Sequence, residues 1–227
     1  YQPESLDDKE VEKKIKESRC DLFVVVAYGK IIPQRILSIP TYKTINMHPS
    51  LLPHFRGPSP IRSTILADER HTGATIIELD EKLDHGPIIA QTEVTIPEEK
   101  WPLRGSELDR LLAVKGAELL LDVIPKLIEG TISRIEQNHS QATFTQKITK
   151  DMGELHIDPF DLPTGHEAYE MYLKICAFDD APGTFFFYNG KRIKIINACM
   201  DGLSLQIQTV IPEGKKEILF NDYLAKL

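Results

Sequence analysis

The run Leu22-Phe23-Val24-Val25-Val26-Ala27 carries no polar side chain over six positions, and Gly29 ends it shortly after. A stretch so short and so rich in β-branched residues is a strand rather than a helix. A strand apolar at every position has no face meant for water, which is the mark of a buried parallel sheet with helices on both sides. That requirement points to an α/β architecture, and the chain downstream agrees. Asp7 to Ser18 is a charged helix with a thin apolar stripe at Val11 and Ile15, and Pro33 opens a short helical turn. Lys43 to Met47 is the next strand, Ile61 to Ala67 a helix, and Thr75 to Leu79 and Ile88 to Ile96 are paired strands. Ser106 to Ile128 is a long helix, with Ser106-x-x-Asp109 as a capping signal and Gly130 as its stop. The alternation predicts an α/β fold with a doubly wound, mostly parallel sheet, in which ligands sit beyond the carboxyl ends of the strands.

Near Lys150 the pattern changes. Thr164 to Ala177 is one helix, with Met171, Tyr172 and Ile175 inward. Thr184 to Tyr188 and Lys191 to Ala198 then flank Asn189-Gly190, the strongest short hairpin signal, and Leu203, Leu205 and Ile207 alternate in a further strand. Short strands after one helix predict a small barrel-like second domain. We therefore expect a first domain over residues 1–130, a linker over 131–149 and a second domain over 150–227.

Bulk properties narrow the setting. The longest apolar run is far below the roughly 20 residues that cross a bilayer, so no membrane partner is expected. Cys20, Cys176 and Cys199 are odd in number and irregularly spaced, which suggests neither a disulfide framework nor zinc, and a cytoplasmic location is the expectation. A net charge of −7 argues against broad nucleic-acid binding, and from Lys150 onward 8 basic residues face 12 acidic ones. Any nucleic-acid partner must therefore meet a local patch.

The chemistry collects around Asn46-Met47-His48-Pro49. Residues two apart on a strand share a face, so an amide and an imidazole stand side by side. Pro49 keeps His48 out of the helical region. A later acidic turn, Leu83-Asp84-His85-Gly86, could fold back to meet them. An amide, an imidazole and a carboxylate together suit the movement of an acyl-level carbon between two nitrogens. Asn46 and a protonated His48 would donate to the developing oxyanion, and Asp84 would orient the imidazole, raise its pKa and help move the amine proton.

Asn46-x-His48, Ser50-Leu51-Leu52-Pro53, Arg56-Gly57 with Pro60-Ile61, Thr72-Gly73-x-Thr75-Ile76 and Leu83-Asp84-x-Gly86 resemble the formyltransferase family that uses 10-formyltetrahydrofolate. A weaker likeness continues through Lys147-Ile148-Thr149-Lys150 to Gly190-Lys191-Arg192-Ile193-Lys194-Ile195 and Gly214-Lys215-Lys216. The resemblance is sharpest to the branch acting on methionyl-initiator tRNA. It implies catalysis by Asn46, His48 and Asp84, and a wall for the folate's pterin and formyl end from Ser50, Leu51, Leu52 and Pro53. It also implies an OB-like second domain whose Lys191, Arg192, Lys194, Lys215 and Lys216 contact tRNA. The cosubstrate would be 10-formyltetrahydrofolate with no metal, and the protein a monomer. The family's first strand and glycine loop are not found before Tyr1, so the catalytic domain is expected to be incomplete at its N-terminus.

Other readings compete. Gly86-Pro87-Ile88-Ile89-Ala90-Gln91 is similar to glycinamide ribonucleotide and sugar enzymes, so a sugar-nucleotide N-formyltransferase using the same three residues is the alternative acceptor class. A remnant that only binds RNA or a partner is the rival from another class. Arg56 is either a structural ion-pairing residue or a contact to folate or acceptor, with structure slightly favoured, and Phe55 stands where the tRNA branch usually has tryptophan. His54 and His85 invite a metal reading beside His48 and Asp84, but their spacing fits no common zinc pattern.

Overall fold

In the computed structural model, which describes residues 2–227, the elements run in chain order as follows. They are α1 (Lys9–Glu17), β1 (Phe23–Val26), α2 (Gln34–Leu37), β2 (Thr44–His48), α3 (Pro60–Leu66), β3 (His71–Glu78), β4 (Ile88–Thr95) and α4 (Gly105–Ile128). There follow α5 (Gly165–Ala177), β5 (Thr184–Tyr188), β6 (Lys191–Asp201), β7 (Ser204–Pro212), β8 (Ile218–Leu219) and α6 (Phe220–Leu224). Two compact units result. The first comprises the residues through Pro60, His71–Thr95 and Arg110–Gln146; the second comprises Ile61–Arg70, Ile96–Asp109 and Lys147–Leu227.

The first unit is built on a four-stranded sheet of order β1-β2-β3-β4. Only β1 and β2 are parallel; β2 with β3, and β3 with β4, are antiparallel. The expected mostly parallel sheet is therefore a mixed one. Between β3 and β4 the reason is local: the chain turns back through residues 79–87, too few for the dozen-residue crossover that a parallel pair requires. The expectation for β1 also needs correction. Its burial alternates, with Val24 and Val26 43% and 49% exposed. An all-apolar run reads the same whether one face or both are covered.

β2 is fully buried, and its two faces divide the labour. Ile45 and Met47 join Ala74, Ile76 and Ile89 in a core closed by Val123 and Leu127 of α4. Each fully buried aliphatic side chain of this kind contributes about 1.5–3 kcal/mol. Asn46 and His48 occupy the opposite face. α1 begins where the Asp8 carboxylate accepts the Glu10 N–H at 2.9 Å, and it buries only Val11.

Residues 131–149, expected to be a linker, are for the most part tied to this first sheet. Ile135 and Ile88 exchange two backbone hydrogen bonds of 2.8 and 2.9 Å. Arg56 N–H donates to the Thr143 carbonyl at 2.9 Å, and Thr145 N–H to the Arg56 carbonyl at 2.7 Å. The unit thus extends to Gln146 rather than stopping at Gly130.

The second unit holds an antiparallel sheet of order β5-β6-β7-β8, which does not close into a barrel. Asn189 and Gly190 both take left-handed backbone, φ 47° and 74°, as a two-residue type I′ hairpin needs. Register shifts at Ile195, Asn197 and Ala198 bend β6. Leu155, Ala168, Ile175, Phe186, Ile193, Ile195, Leu205, Ile207 and Val210 form the core, and Met171 and Tyr172 pack against it half-buried. Leu203, expected inside β7, precedes the strand and is 73% exposed. Ser106 does not cap with Asp109. Its N–H and hydroxyl both reach the Asp179 carboxylate, at 3.1 and 2.5 Å, while Asp109 accepts two bonds of 2.8 Å from Arg62. No helix among the described residues is long and apolar enough to cross a membrane.

Candidate active site

Asn46 and His48 share one face of β2, His48 faces the turn that carries Asp84, and all three side chains are buried. His48 Nδ1 lies 3.6 Å from Asp84 Oδ1, and His48 Nε2 is 2.9 Å from the Phe55 carbonyl oxygen. A carbonyl only accepts, so Nε2 carries the hydrogen and Nδ1 presents its lone pair to the carboxylate. Asp84 Oδ2 accepts the Gly57 N–H at 2.7 Å. The Asp84 backbone is left-handed, φ 46°, as an Asp-x-Gly turn permits. The Asn46 carboxamide has no hydrogen-bond partner among the described residues, which leaves its N–H groups open to a ligand.

Burial pushes the His48 pKa below its ordinary value, against the upward pull of Asp84 and of the Phe55 carbonyl; nearby Arg56 lowers it further. The expected rise does not occur, because desolvation of a charged ring outweighs one carboxylate. This direction favours the neutral imidazole at rest. Yet both of its nitrogens face acceptors, so a proton arriving at Nδ1 creates an imidazolium with a partner at each N–H.

The Ser50–Pro53 loop is more rigid and less available than expected. Ser50 and Leu52 are buried. Thr75 Oγ1 donates to the Ser50 carbonyl at 2.6 Å and accepts from Leu52 N–H at 3.1 Å. Gln91 Nε2 donates both to the Leu52 carbonyl, 2.8 Å, and to Thr75 Oγ1, 2.9 Å. Most backbone groups of the loop are thus used internally, and half-buried Leu51 and Pro53 are left to meet a ligand. Gly73 supports this placement: a Cβ there would meet Leu51 Cδ2 at 2.6 Å and the Thr92 carbonyl at 2.0 Å. Thr75→Val keeps the shape but strands two buried backbone groups, and is expected to destabilise the fold by about 1–3 kcal/mol. Urea unfolding measures this directly; an unchanged midpoint would refute the role given to Thr75.

Arg56 is buried, and its guanidinium donates to Gln137 Oε1 and to His139 Nδ1 rather than to a carboxylate. His85 pairs with Asp80 at 2.7 Å and stacks on His139, and the described residues contain no cluster of three or more metal-ligating side chains. Lys191, Arg192, Lys194, Lys215 and Lys216 all lie on the second unit. Arg192 stacks its guanidinium 3.9 Å above the Phe185 ring, and its carbonyl accepts from Glu213 N–H, which brings the 215–216 turn alongside. Thr75, Gln91 and Gln137 are the residues that sequence reasoning missed as parts of the site. Thr75 could have been found by its place on the strand facing His48; Gln137 carries no signal at all.

An amide and an imidazole on one face of β2 and a carboxylate on the β3–β4 turn lie in the part of the chain, residues 1–123, that the formyl transferase family model matches. The chain belongs to that family. It is 36% identical over 217 residues to a methionyl-tRNA formyltransferase of Carboxydothermus hydrogenoformans, covering 95% of this chain and 64% of that relative. It is 31% identical over 248 residues to the methionyl-tRNA formyltransferase of Lactobacillus johnsonii, covering 99% and 76% respectively. Among solved structures, HypX from Aquifex aeolicus in complex with tetrahydrofolic acid superposes with a TM-score of 0.71 at 18% identity, over 96% of this chain and 41% of that one. The last is a likeness of fold.

Proposed function

We propose that this chain transfers a formyl group from 10-formyltetrahydrofolate to the amino group of methionyl-initiator tRNA, as a cytoplasmic monomer. The relatives' names support the acceptor, and the placement of His48 between the Phe55 carbonyl and the Asp84 carboxylate supports the chemistry. The cosubstrate supplies a carbon at the formate oxidation level, already held to nitrogen as an amide, so its transfer to another amine needs no redox partner. Half-buried Leu51 and Pro53 and the unpartnered Asn46 carboxamide suit such a ligand. Asn46 donates an N–H to the oxygen that gains charge as the acceptor amine attacks. His48 Nδ1 takes the proton that the amine sheds, and Phe55 and Asp84 hold the resulting imidazolium. The same proton can then pass to the departing nitrogen, which leaves His48 neutral for the next cycle.

In this reading the first unit carries the chemistry and the second, an OB-like module made of β5 to β8, holds tRNA. Lys191, Arg192, Lys194, Lys215 and Lys216 are the proposed contacts, with Arg192 pre-oriented on Phe185. The test is direct. The chain is incubated with 10-formyltetrahydrofolate and charged initiator tRNA, and separately with amino-sugar nucleotides. N-formylmethionine in the first reaction is expected. Product only from the sugar nucleotides would transfer the activity to the other acceptor class, and a folded chain inert toward both would contradict the proposal.

A further inference from the structure

Gln137 belongs to no motif, yet it is buried and uses its whole hydrogen-bonding capacity. Nε2 donates to the Asp84 carbonyl at 2.9 Å and to the Gly86 carbonyl at 2.7 Å; Oε1 accepts from Arg56 Nε at 3.1 Å and Nη2 at 2.5 Å. A primary amide has two N–H donors and two lone pairs, so none remains. The four bonds join the turn carrying Asp84 to the loop Phe55-Arg56-Gly57. That three-residue loop touches both members of the proton-handling pair, because the Phe55 carbonyl holds His48 Nε2 and the Gly57 N–H holds Asp84 Oδ2. The outer side of the loop is fixed by its bonds to Thr143 and Thr145.

We infer that Gln137 is a positioning residue, locking the Asp84 turn to the Phe55–Gly57 loop and so setting the Asp84 carboxylate against His48. The inference rests on the proposed role of that pair. Asp84 is held left-handed, and its backbone carbonyl would otherwise be a buried acceptor without a donor. Without the amide, the turn and the loop separate, and the 3.6 Å spacing is no longer imposed. The charged groups facing His48 are Asp84 and Arg56, so a retreating Asp84 leaves the ring with burial and one cation, both of which oppose protonation.

The experiment follows the His48 imidazole by NMR across pH in the full chain, as wild type, Gln137→Asn and Gln137→Met. Neither substitution changes the charge. Both should lower the His48 midpoint, in the methionine variant by about one pH unit, or tenfold in proton affinity. The rate of formyl transfer should fall about 10- to 100-fold, as expected for displacement by about 1 Å, with KM for 10-formyltetrahydrofolate unchanged. In an Asp84→Asn background the same substitutions should leave the midpoint where Asp84→Asn set it. Gln137→Asn serves if Gln137→Met fails to fold. A folded variant of lower melting temperature but unshifted midpoint would reduce Gln137 to a structural residue and overturn the inference. The titration needs no turnover, so a failure of the proposed activity would be seen separately in the wild-type assay.

Discussion

Replacing His48 with alanine is expected to slow formyl transfer by about 100- to 10,000-fold, the usual contribution of a positioned acid–base group. Among the described residues, the ring is the group that meets Asp84 and would carry the amine's proton in the proposed mechanism. The substitution also leaves the Phe55 carbonyl without its donor and empties a buried volume, so some stability is lost with the rate. Asp84→Asn separates the two effects. An amide at that position can still accept from the Gly57 N–H, but its NH2 would face His48 Nδ1 and occupy the lone pair that must take the proton. The rate should therefore fall by a similar factor while the urea midpoint moves little. Single-turnover transfer, with circular dichroism as the check on folding, measures both. A near-wild-type rate in either variant would remove the pair from the chemistry.

Gly86→Ala is expected to do the most damage to the fold. A Cβ at Gly86 would lie 1.8 Å from the Glu78 carbonyl oxygen. Backbone cannot step aside as a flexible side chain can, and Glu78 is further fixed by its N–H bond to the Pro87 carbonyl. Overpacking of this kind costs about 1–3 kcal/mol and sometimes more. Here the strain falls on the same turn that carries Asp84 and accepts from Gln137, so activity should fall with stability. Gly116→Ala is the control. Its Cβ would press on the Met47 sulfur at 2.7 Å, the movable end of an adaptable side chain, and the cost should stay below about 1.5 kcal/mol. Equal urea midpoints for the Gly86 variant and wild type would show that the close approach does not exist.

How much of this was legible beforehand depends on whether the information is local. The pairing of Asn46 with His48 follows from strand periodicity alone, and Asp84-x-Gly86 announces a turn, though not the left-handed backbone found at Asp84. The hairpin at Asn189-Gly190 was legible for the same reason. Strand direction was not: an apolar run does not say whether its neighbour is parallel, and the mixed sheet emerged only from pairing. Ser106 and Asp109 have capping spacing, but each found a stronger partner far along the chain, in Asp179 and Arg62. The direction of the His48 pKa turned on burial, which no spacing reveals. Gln137 was invisible because an amide in an aperiodic stretch carries no pattern, although 53 residues separate it from the turn it holds.

The claim at the centre of this account is that the resting His48 is neutral, hydrogen-bonded through Nε2, with Nδ1 held open to receive a proton. Nitrogen-15 chemical shifts of the labelled imidazole at pH 7.5 (about one unit above the ordinary histidine value) read this state directly. The account predicts the Nε2–H tautomer, converting at lower pH to an imidazolium with both N–H groups protected from exchange. An Nδ1–H tautomer, or an imidazolium already present at that pH, would contradict it.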